Sequence, residues 1–212
     1  MMPTQGIFDG FAPAAPVQSL FFALLPDAPA RGSIARLTDA LRSEHDLHGH
    51  RIDPARYHLT LHYLGESAGP RQDVEMRAAA AAKTVRSEAF DVTLDNAVSF
   101  RGRDDKPCVL RSSERAAPLH ALWRELGTAL AKVGLSRHLD REFAPHVTIG
   151  YDPKSILAVS IAPLTWAAVE FLLIRSVRGQ ARHEVLGLFP LGIDGGRLRQ
   201  HPDGECNDFA LR

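Results

Sequence analysis

Two segments of this chain follow one residue formula, which is typical of a β-strand with one apolar and one polar face. The segments are His58-Leu-Thr-Leu-His-Tyr63 and His146-Val-Thr-Ile-Gly-Tyr151. Side chains alternate between the two faces of a strand, so the histidine and threonine of each copy project together, roughly 6 to 7 Å apart. The sequence therefore predicts two similar strands, each of which carries an imidazole beside a hydroxyl.

Strict alternation also assigns the remaining side chains of both strands. It places the aliphatic and tyrosine positions on the apolar face: Leu59, Leu61, Tyr63, Val147, Ile149 and Tyr151. His62 would then share a face with His58, about 13 Å further along the strand. We expect His62 to lie at the rim of a site or to have a structural role, although substrate contact stays open.

The order of the predicted elements favours an α+β fold. Strands are predicted at 19–26, 57–65, 90–100, 106–112, 144–151, 166–177 and 183–191, and helices at 30–45, 71–87 and 117–134. No glycine-rich phosphate turn follows the first strand, so a doubly wound fold is the weaker alternative. We expect one folded domain at 18–191, a disordered N-terminal tail at 1–17 and a polar C-terminal tail at 192–212.

Charge and hydropathy limit the classes of partner. The chain has 25 basic and 25 acidic residues, which gives no overall positive field for binding long stretches of nucleic acid. Any nucleic acid is therefore expected to be bound at one end. No apolar run is long enough to indicate a membrane span, and the N-terminal residues do not indicate a secretory signal. We expect a cytoplasmic monomer with no membrane partner.

Two facing His-Thr pairs would suit the hydrolysis of a phosphodiester. The ordinary pKa of histidine is about 6.5, so near neutral pH one imidazole can accept a proton from water while the other donates one to the leaving oxygen. The threonine hydroxyls can donate hydrogen bonds to the non-bridging phosphate oxygens. This chemistry requires no metal ion and no cofactor, and we expect neither.

The quoted motifs resemble those of a known family. "HLTLHYLG" and "HVTIGY" are similar to the paired signatures of the two-histidine (2H) phosphoesterases, most closely the bacterial RNA 2′,3′-cyclic phosphodiesterases, once named 2′-5′ RNA ligases. "LFFALLP", "REFAPHVTIGY" and "LGLFPL" extend the resemblance over roughly residues 18 to 191. It implies a two-lobed, pseudo-symmetric α+β fold, with antiparallel or mixed sheets flanked by helices around a central cleft.

The resemblance also implies roles for individual residues. His58 would be the proton donor and His146 the proton acceptor, with Thr60 and Thr148 beside them. The implied reaction opens RNA 2′,3′-cyclic phosphate ends to 2′-phosphates, and the resemblance also implies a reversible 2′-5′ ligation. The expected partners are RNA 3′ ends or small nucleotides with a cyclic phosphate.

Five further residues are candidates for substrate binding. Arg51 and Arg141 each precede a motif histidine and can offer a planar fork of donors to a phosphate, although a surface salt bridge is an equal alternative. Phe143 can stack on a base or pack in the core. Tyr63 and Tyr151 end the two motifs. At Tyr151 the closest relatives often have arginine, so phosphate binding or nucleotide preference would differ here.

Several alternatives remain open at this stage. The cleft would also suit 2′,5′-linked oligoadenylate or a small cyclic nucleotide phosphate, or it would serve a nucleotide-binding module without turnover. His58 and His62 have the His-x-x-x-His spacing of a zinc site, but a helix and a nearby glutamate are missing. His45, His48 and His50 could form a metal-binding tract, with a solvated loop as the more ordinary interpretation.

Overall fold

A computed structural model describes residues 16–102, 104–113, 116–180 and 182–192. The tails predicted at 1–17 and 192–212 lie almost wholly outside these residues. At the two ends of the described part, Val17 already belongs to the first strand, and Gly192 forms a single parallel bridge with Glu88.

Within the described ranges, the chain forms strands and helices in an α+β order, which confirms the predicted fold class. The strands are β1 (Val17–Leu24), β2 (His50–Arg51), β3 (Leu59–Ala68), β4 (Phe90–Ser99), β5 (Lys106–Arg111), β6 (His146–Asp152), β7 (Val159–Ala168), β8 (Glu170–Val177) and β9 (Glu184–Pro190). The helices are α1 (Ala28–Glu44), α2 (Gln72–Ala82) and α3 (Ala117–Lys132), with short 3₁₀ turns at Pro54–Arg56 and Ser136–His138.

The strands form one sheet with two halves that meet at the motif strands. The strand order is β7-β4-β5-β6-β3-β1-β8-β9, with β2 added beside β6, and all of these pairs are antiparallel. One half is β7-β4-β5-β6 and the other is β3-β1-β8-β9. The seam between β3 and β6 has a single aligned pair, Leu59 with Val147. This is the predicted two-lobed arrangement, with one motif strand at the inner edge of each lobe.

The helices cover the apolar side of the sheet. α1 contacts β6 and β7, whereas α2 and α3 contact each other and reach β9, β3 and β4. Asp27 caps α1 by accepting a hydrogen bond from the Ala30 N–H at 2.8 Å. The buried stripe of α3 is Leu119, Leu122, Leu126, Ala129 and Leu130. None of the helices in the described ranges is long and apolar enough to cross a bilayer.

Two predicted elements have different limits in the structure. The helix predicted at 71–87 ends at Ala82, because Thr84 and Val85 turn back to the Ala81 and Ala82 carbonyls. The strand predicted at 166–177 is the end of β7 followed by β8, with Val169 between them. β7 pairs with β4 and β8 pairs with β1, so the chain passes from one half of the sheet to the other at this residue. A continuous apolar pattern does not reveal a change of pairing partner.

Candidate active site

The register of the seam brings the two His-Thr pairs together. Leu59 is aligned with Val147 in an antiparallel pair. On the opposite face of the strands, His58 therefore faces Thr148 and Thr60 faces His146. All four side chains line one cavity of about 710 Å³, which is within the ordinary size of a small-molecule site.

Each motif histidine is held in the same way by its own backbone. His58 Nδ1 lies 2.7 Å from the Arg56 carbonyl oxygen, and His146 Nδ1 lies 2.6 Å from the Ala144 carbonyl oxygen. A carbonyl can only accept a hydrogen bond, so Nδ1 carries the proton in both rings. In the neutral form of each ring, Nε2 then keeps its lone pair for proton transfer.

A phenylalanine ring packs against each motif histidine. Phe21 stacks on His58 with ring centroids 4.9 Å apart, and Phe100 makes an edge contact with His146, also at 4.9 Å. Burial lowers the pKa of His58, and the positive charges of His146 and Arg56 lower it further. In the free protein, His58 is therefore neutral near pH 7.

A β-bulge in each motif strand changes which side chains reach the cleft. Opposite Phe22 and Ala23 of β1, the register of β3 skips Leu61. Opposite Cys108 and Val109 of β5, the register of β6 skips Ile149. After each bulge the alternation is reversed, so Tyr63 and Tyr151 are turned into the cavity, with exposures of 39% and 37%. The prediction from strict alternation, which placed both tyrosines on the apolar face, was wrong.

The same bulge moves His62 away from the cleft. Its side chain is 2% exposed and stacks on Trp123 with ring centroids 5.4 Å apart. His62 Nε2 lies 2.8 Å from the Trp123 carbonyl oxygen, and the absence of a side chain at Gly127 leaves room for the ring. The expectation that His62 shares a face with His58 was therefore wrong, and His62 instead has the structural role that was also considered.

Three predicted substrate-binding residues lie outside the cleft lining. Arg51 forms an ion pair with Asp39 of α1 at 3.1 Å. Arg141 is exposed and is not part of the cavity wall. Phe143 stacks on Trp123 with ring planes 2° apart and packs against the core, which is the second of the two roles considered for it. We therefore leave these three residues out of the proposed site.

Other cleft residues were missed by the sequence reasoning. Arg56 donates hydrogen bonds to the Ser176 hydroxyl at 3.0 Å and to the Gln180 carbonyl at 3.1 Å. Arg178 and His183 also line the cavity, and among its described lining residues there is no aspartate or glutamate. The position of Arg56, two residues before His58, was a usable signal. Arg178 and His183 come from the β8–β9 hairpin, which only the tertiary structure places here.

His183 is a third imidazole next to the paired motifs. Its ring makes edge contacts with His58 at 5.1 Å and with Phe21 at 5.6 Å between centroids. Burial lowers the pKa of His183 to about 4, and the charges of His58 and Arg56 act in the same direction. His183 is consequently a neutral part of the wall at physiological pH.

The histidines at 45–50 do not converge on one point. His48 is exposed and contacts Asp46 at 2.7 Å, whereas His50 belongs to β2 and lines the cleft beside Tyr151. In the part of the chain that the structure describes, no group of three or more histidine, cysteine or acidic side chains is arranged to hold a metal ion.

This fold and site define the class of protein. Two pseudo-symmetric half-sheets, each presenting a His-x-Thr strand to one shared cleft, are the architecture of a two-histidine phosphoesterase. The chain belongs to the 2′-5′ RNA ligase superfamily, whose family model matches residues 23–178.

Solved structures agree with this assignment. The apo form of E. coli LigT is 28% identical, with a TM-score of 0.65, and the match covers 84% of this chain and 99% of LigT. LigT complexed with 3′-AMP is 26% identical, with a TM-score of 0.63 and coverage of 83% and 98%. The TT0787 protein of Thermus thermophilus, at 21% identity, a TM-score of 0.64 and coverage of 82% and 97%, supports the fold alone. No curated protein matches this chain at significant similarity.

Proposed function

We propose that this protein hydrolyses RNA 2′,3′-cyclic phosphate ends to 2′-phosphomonoesters by metal-independent acid-base catalysis. The observation that carries the proposal is the mirrored pair of imidazoles. His58 and His146 line one cavity, each beside a threonine and each with Nδ1 bound to the carbonyl two residues before it. Such a pair can transfer one proton on each side of a single phosphorus atom.

In the proposed reaction His146 is the base and His58 is the acid. His146 Nε2 takes a proton from the attacking water as the new P–O bond forms. His58 Nε2 gives a proton to the 3′ oxygen as the P–O3′ bond breaks, which leaves the phosphate on the 2′ oxygen. Each transfer contributes about a hundredfold to ten-thousandfold to the rate. The reverse reaction uses the same two groups with their roles exchanged.

The acid role requires that the bound phosphate raise the pKa of His58. Burial keeps this ring neutral before substrate binds. An anionic phosphodiester between the two histidines favours the charged form of the ring, which opposes the effect of burial. We therefore expect substrate binding to be accompanied by proton uptake, measurable as a dependence of the binding enthalpy on the ionisation enthalpy of the buffer.

Hydroxyl and guanidinium groups complete the proposed phosphate site. Thr60 and Thr148 donate to the non-bridging oxygens, where negative charge is held in the transition state. Arg56 uses two of its five N–H donors on Ser176 and Gln180, and no carboxylate is among the described lining residues of the cavity, so the other donors remain for phosphate. Tyr63 and Tyr151 stand at the rim, where they can contact the nucleoside.

The relatives support a nucleotide phosphate as the ligand class. LigT has been solved in complex with 3′-AMP and in complex with phosphate. LigT has also been solved with ATP and with NADP+, so these similarities favour a phosphate-bearing nucleotide without selecting one.

The test is turnover of nucleoside 2′,3′-cyclic phosphates in the presence of a chelator, with chromatographic separation of the 2′- and 3′-phosphate products. We expect only the 2′-phosphate, and a loss of at least about a thousandfold in kcat for His58→Ala and for His146→Ala. His48→Ala, a change at the surface, is the matched control. Retained activity in both variants, or activity that disappears with the chelator, would overturn the proposal.

A further inference from the structure

A second cavity adjoins the catalytic cleft, and His183 forms part of the wall of both. The second cavity has a volume of about 430 Å³ and lies between the start of α1, the turn before β3 and the β8–β9 hairpin. A ligand that extends beyond the paired histidines on this side would pass His183 and enter this space.

The second cavity is lined by two basic side chains and by no acidic side chain among its described residues. The basic side chains are Arg31 of α1 and Arg182 of the hairpin. No ion pair in the described ranges involves either arginine. Asp27 and Glu170 line a further cavity together with Arg31, but neither forms an ion pair with it. The two guanidinium groups are therefore suited to an anion.

The rest of the wall is largely apolar. Leu25, Ile174 and Val185 face the same space, and Val185 is 50% exposed. Ile174 and Leu25 continue a small apolar cluster of Phe21, Ala23 and Leu172 that lies on the cleft side of β1 and β8. Guanidinium groups beside an exposed apolar surface match a nucleotide, which joins an anionic phosphate to a flat, weakly polar base.

We propose that the second cavity binds the nucleotide on the 5′ side of the cyclic end, with Arg31 and Arg182 on the connecting phosphodiester. This inference rests on the proposed function and adds to it a binding site for the second nucleotide of the RNA end. In such an end, one sugar joins the 2′,3′-cyclic phosphate to the 5′ phosphodiester. The two phosphates are therefore separated by a single nucleoside, which fits two cavities that share a wall.

The test compares two substrates in the full-length protein. One is adenosine 2′,3′-cyclic phosphate, and the other is the dinucleotide ApA with a 2′,3′-cyclic phosphate end. We expect wild-type protein to prefer the dinucleotide in kcat/KM by about tenfold or more, and we expect Arg31→Gln combined with Arg182→Gln to remove most of that preference. Arg124→Gln, an exposed change on α3 outside both cavities, should leave the preference intact. The inference would be overturned if the double variant lost kcat/KM equally on both substrates. It would also be overturned if the wild-type protein did not prefer the dinucleotide.

A binding measurement separates this inference from the proposed function. Calorimetry on the His58→Ala and His146→Ala variants would compare adenosine 2′-phosphate with ApA 2′-phosphate. Tighter binding of the dinucleotide, lost when Arg31 and Arg182 are also replaced, supports the second cavity even if no substrate is turned over. Equal affinity for the two ligands would refute the second cavity even if cyclic phosphate hydrolysis is confirmed.

Discussion

At the scale of single residues, the two halves of the cleft repeat a short set of contacts. Each motif histidine donates from Nδ1 to the carbonyl two residues earlier, has a phenylalanine ring beside it and lies across the seam from the threonine of the other motif. The histidine–carbonyl hydrogen bonds join residues that are two positions apart in the chain. The phenylalanine contacts and the contacts across the seam join residues that are far apart in the chain. Burial lowers the pKa of His58, and the positive charges of His146 and Arg56 act in the same direction.

The threonine hydroxyls should act in the transition state. Replacing Thr60 or Thr148 by valine keeps the shape of the side chain and removes one donor to the non-bridging oxygens. We expect each change to lower kcat about a hundredfold with a small change in KM, because the lost hydrogen bond strengthens as charge develops. Steady-state kinetics on a cyclic nucleotide would check this. A rise in KM with unchanged kcat would show that the hydroxyls bind the ground state as strongly as the transition state.

His62 should contribute to stability and not to chemistry. His62→Ala removes a buried ring and its hydrogen bond to the Trp123 carbonyl, so we expect the free energy of unfolding to fall by about 2 to 4 kcal/mol. Urea denaturation would measure the loss, with exposed His48→Ala as the control. The folded fraction of His62→Ala should keep kcat near wild type, and a selective loss of kcat would contradict this assignment.

At the scale of elements, the bulges in β3 and β6 shape the cleft. Each extra residue turns the following tyrosine towards the cavity and leaves the position between them, His62 or Gly150, on the buried side. Gly150 is needed there because β2 passes close to it. A Cβ atom at this position would lie 2.8 Å from the His50 carbonyl oxygen.

Gly150→Ala should therefore displace β2 from β6. We expect a loss of about 1 to 3 kcal/mol in the free energy of unfolding, since the obstructing atom belongs to the backbone and cannot move alone. Thermal or urea denaturation would measure this change. Gly32→Ala on α1 is the contrasting variant, because its nearest neighbour is the end of the Arg36 side chain at 3.5 Å and alanine favours a helix. Equal stability changes in the two variants would contradict the argument.

At the scale of the whole molecule, buried neutral histidines link folding to pH. Burial is the largest cause of the lowered pKa values of His58, His62 and His183, and that of His183 falls to about 4. In the unfolded chain these rings titrate near pH 6.5, so below that pH the unfolded state binds more protons than the folded state. The contribution of these groups is complete above pH 6.5 and is lost as the pH falls through their folded-state pKa values.

We therefore expect the free energy of unfolding to decrease between pH 6.5 and pH 4. His183 is only partly buried, so solvent screening keeps its contribution below the roughly 3 kcal/mol that the full shift would give. Urea denaturation at several pH values would measure the slope of the free energy of unfolding against pH. His183→Phe, which keeps a ring at this position, should make that slope shallower. An unchanged slope in that variant would show that the ring is protonated as easily in the folded protein as in the unfolded chain.

Local patterns were enough to identify the motif strands, the core stripe of α3 and the family resemblance. Period-two alternation holds for His58 to Leu61 and for His146 to Ile149, so the His-Thr pairing was predicted correctly. It failed one residue later in both strands, because a bulge depends on the register with a neighbouring strand. The sequence of the bulged strand alone contains no marker of that register.

By itself, the sequence determined which strands carry an imidazole and a hydroxyl, because those residues are neighbours along one backbone. Only the tertiary structure decided that Leu59 lies opposite Val147, that both tyrosines reach the cleft and that the β8–β9 hairpin brings Arg178 and His183 to it. These features depend on pairing between residues far apart in the chain, where burial and register select the partner and local propensity has no influence.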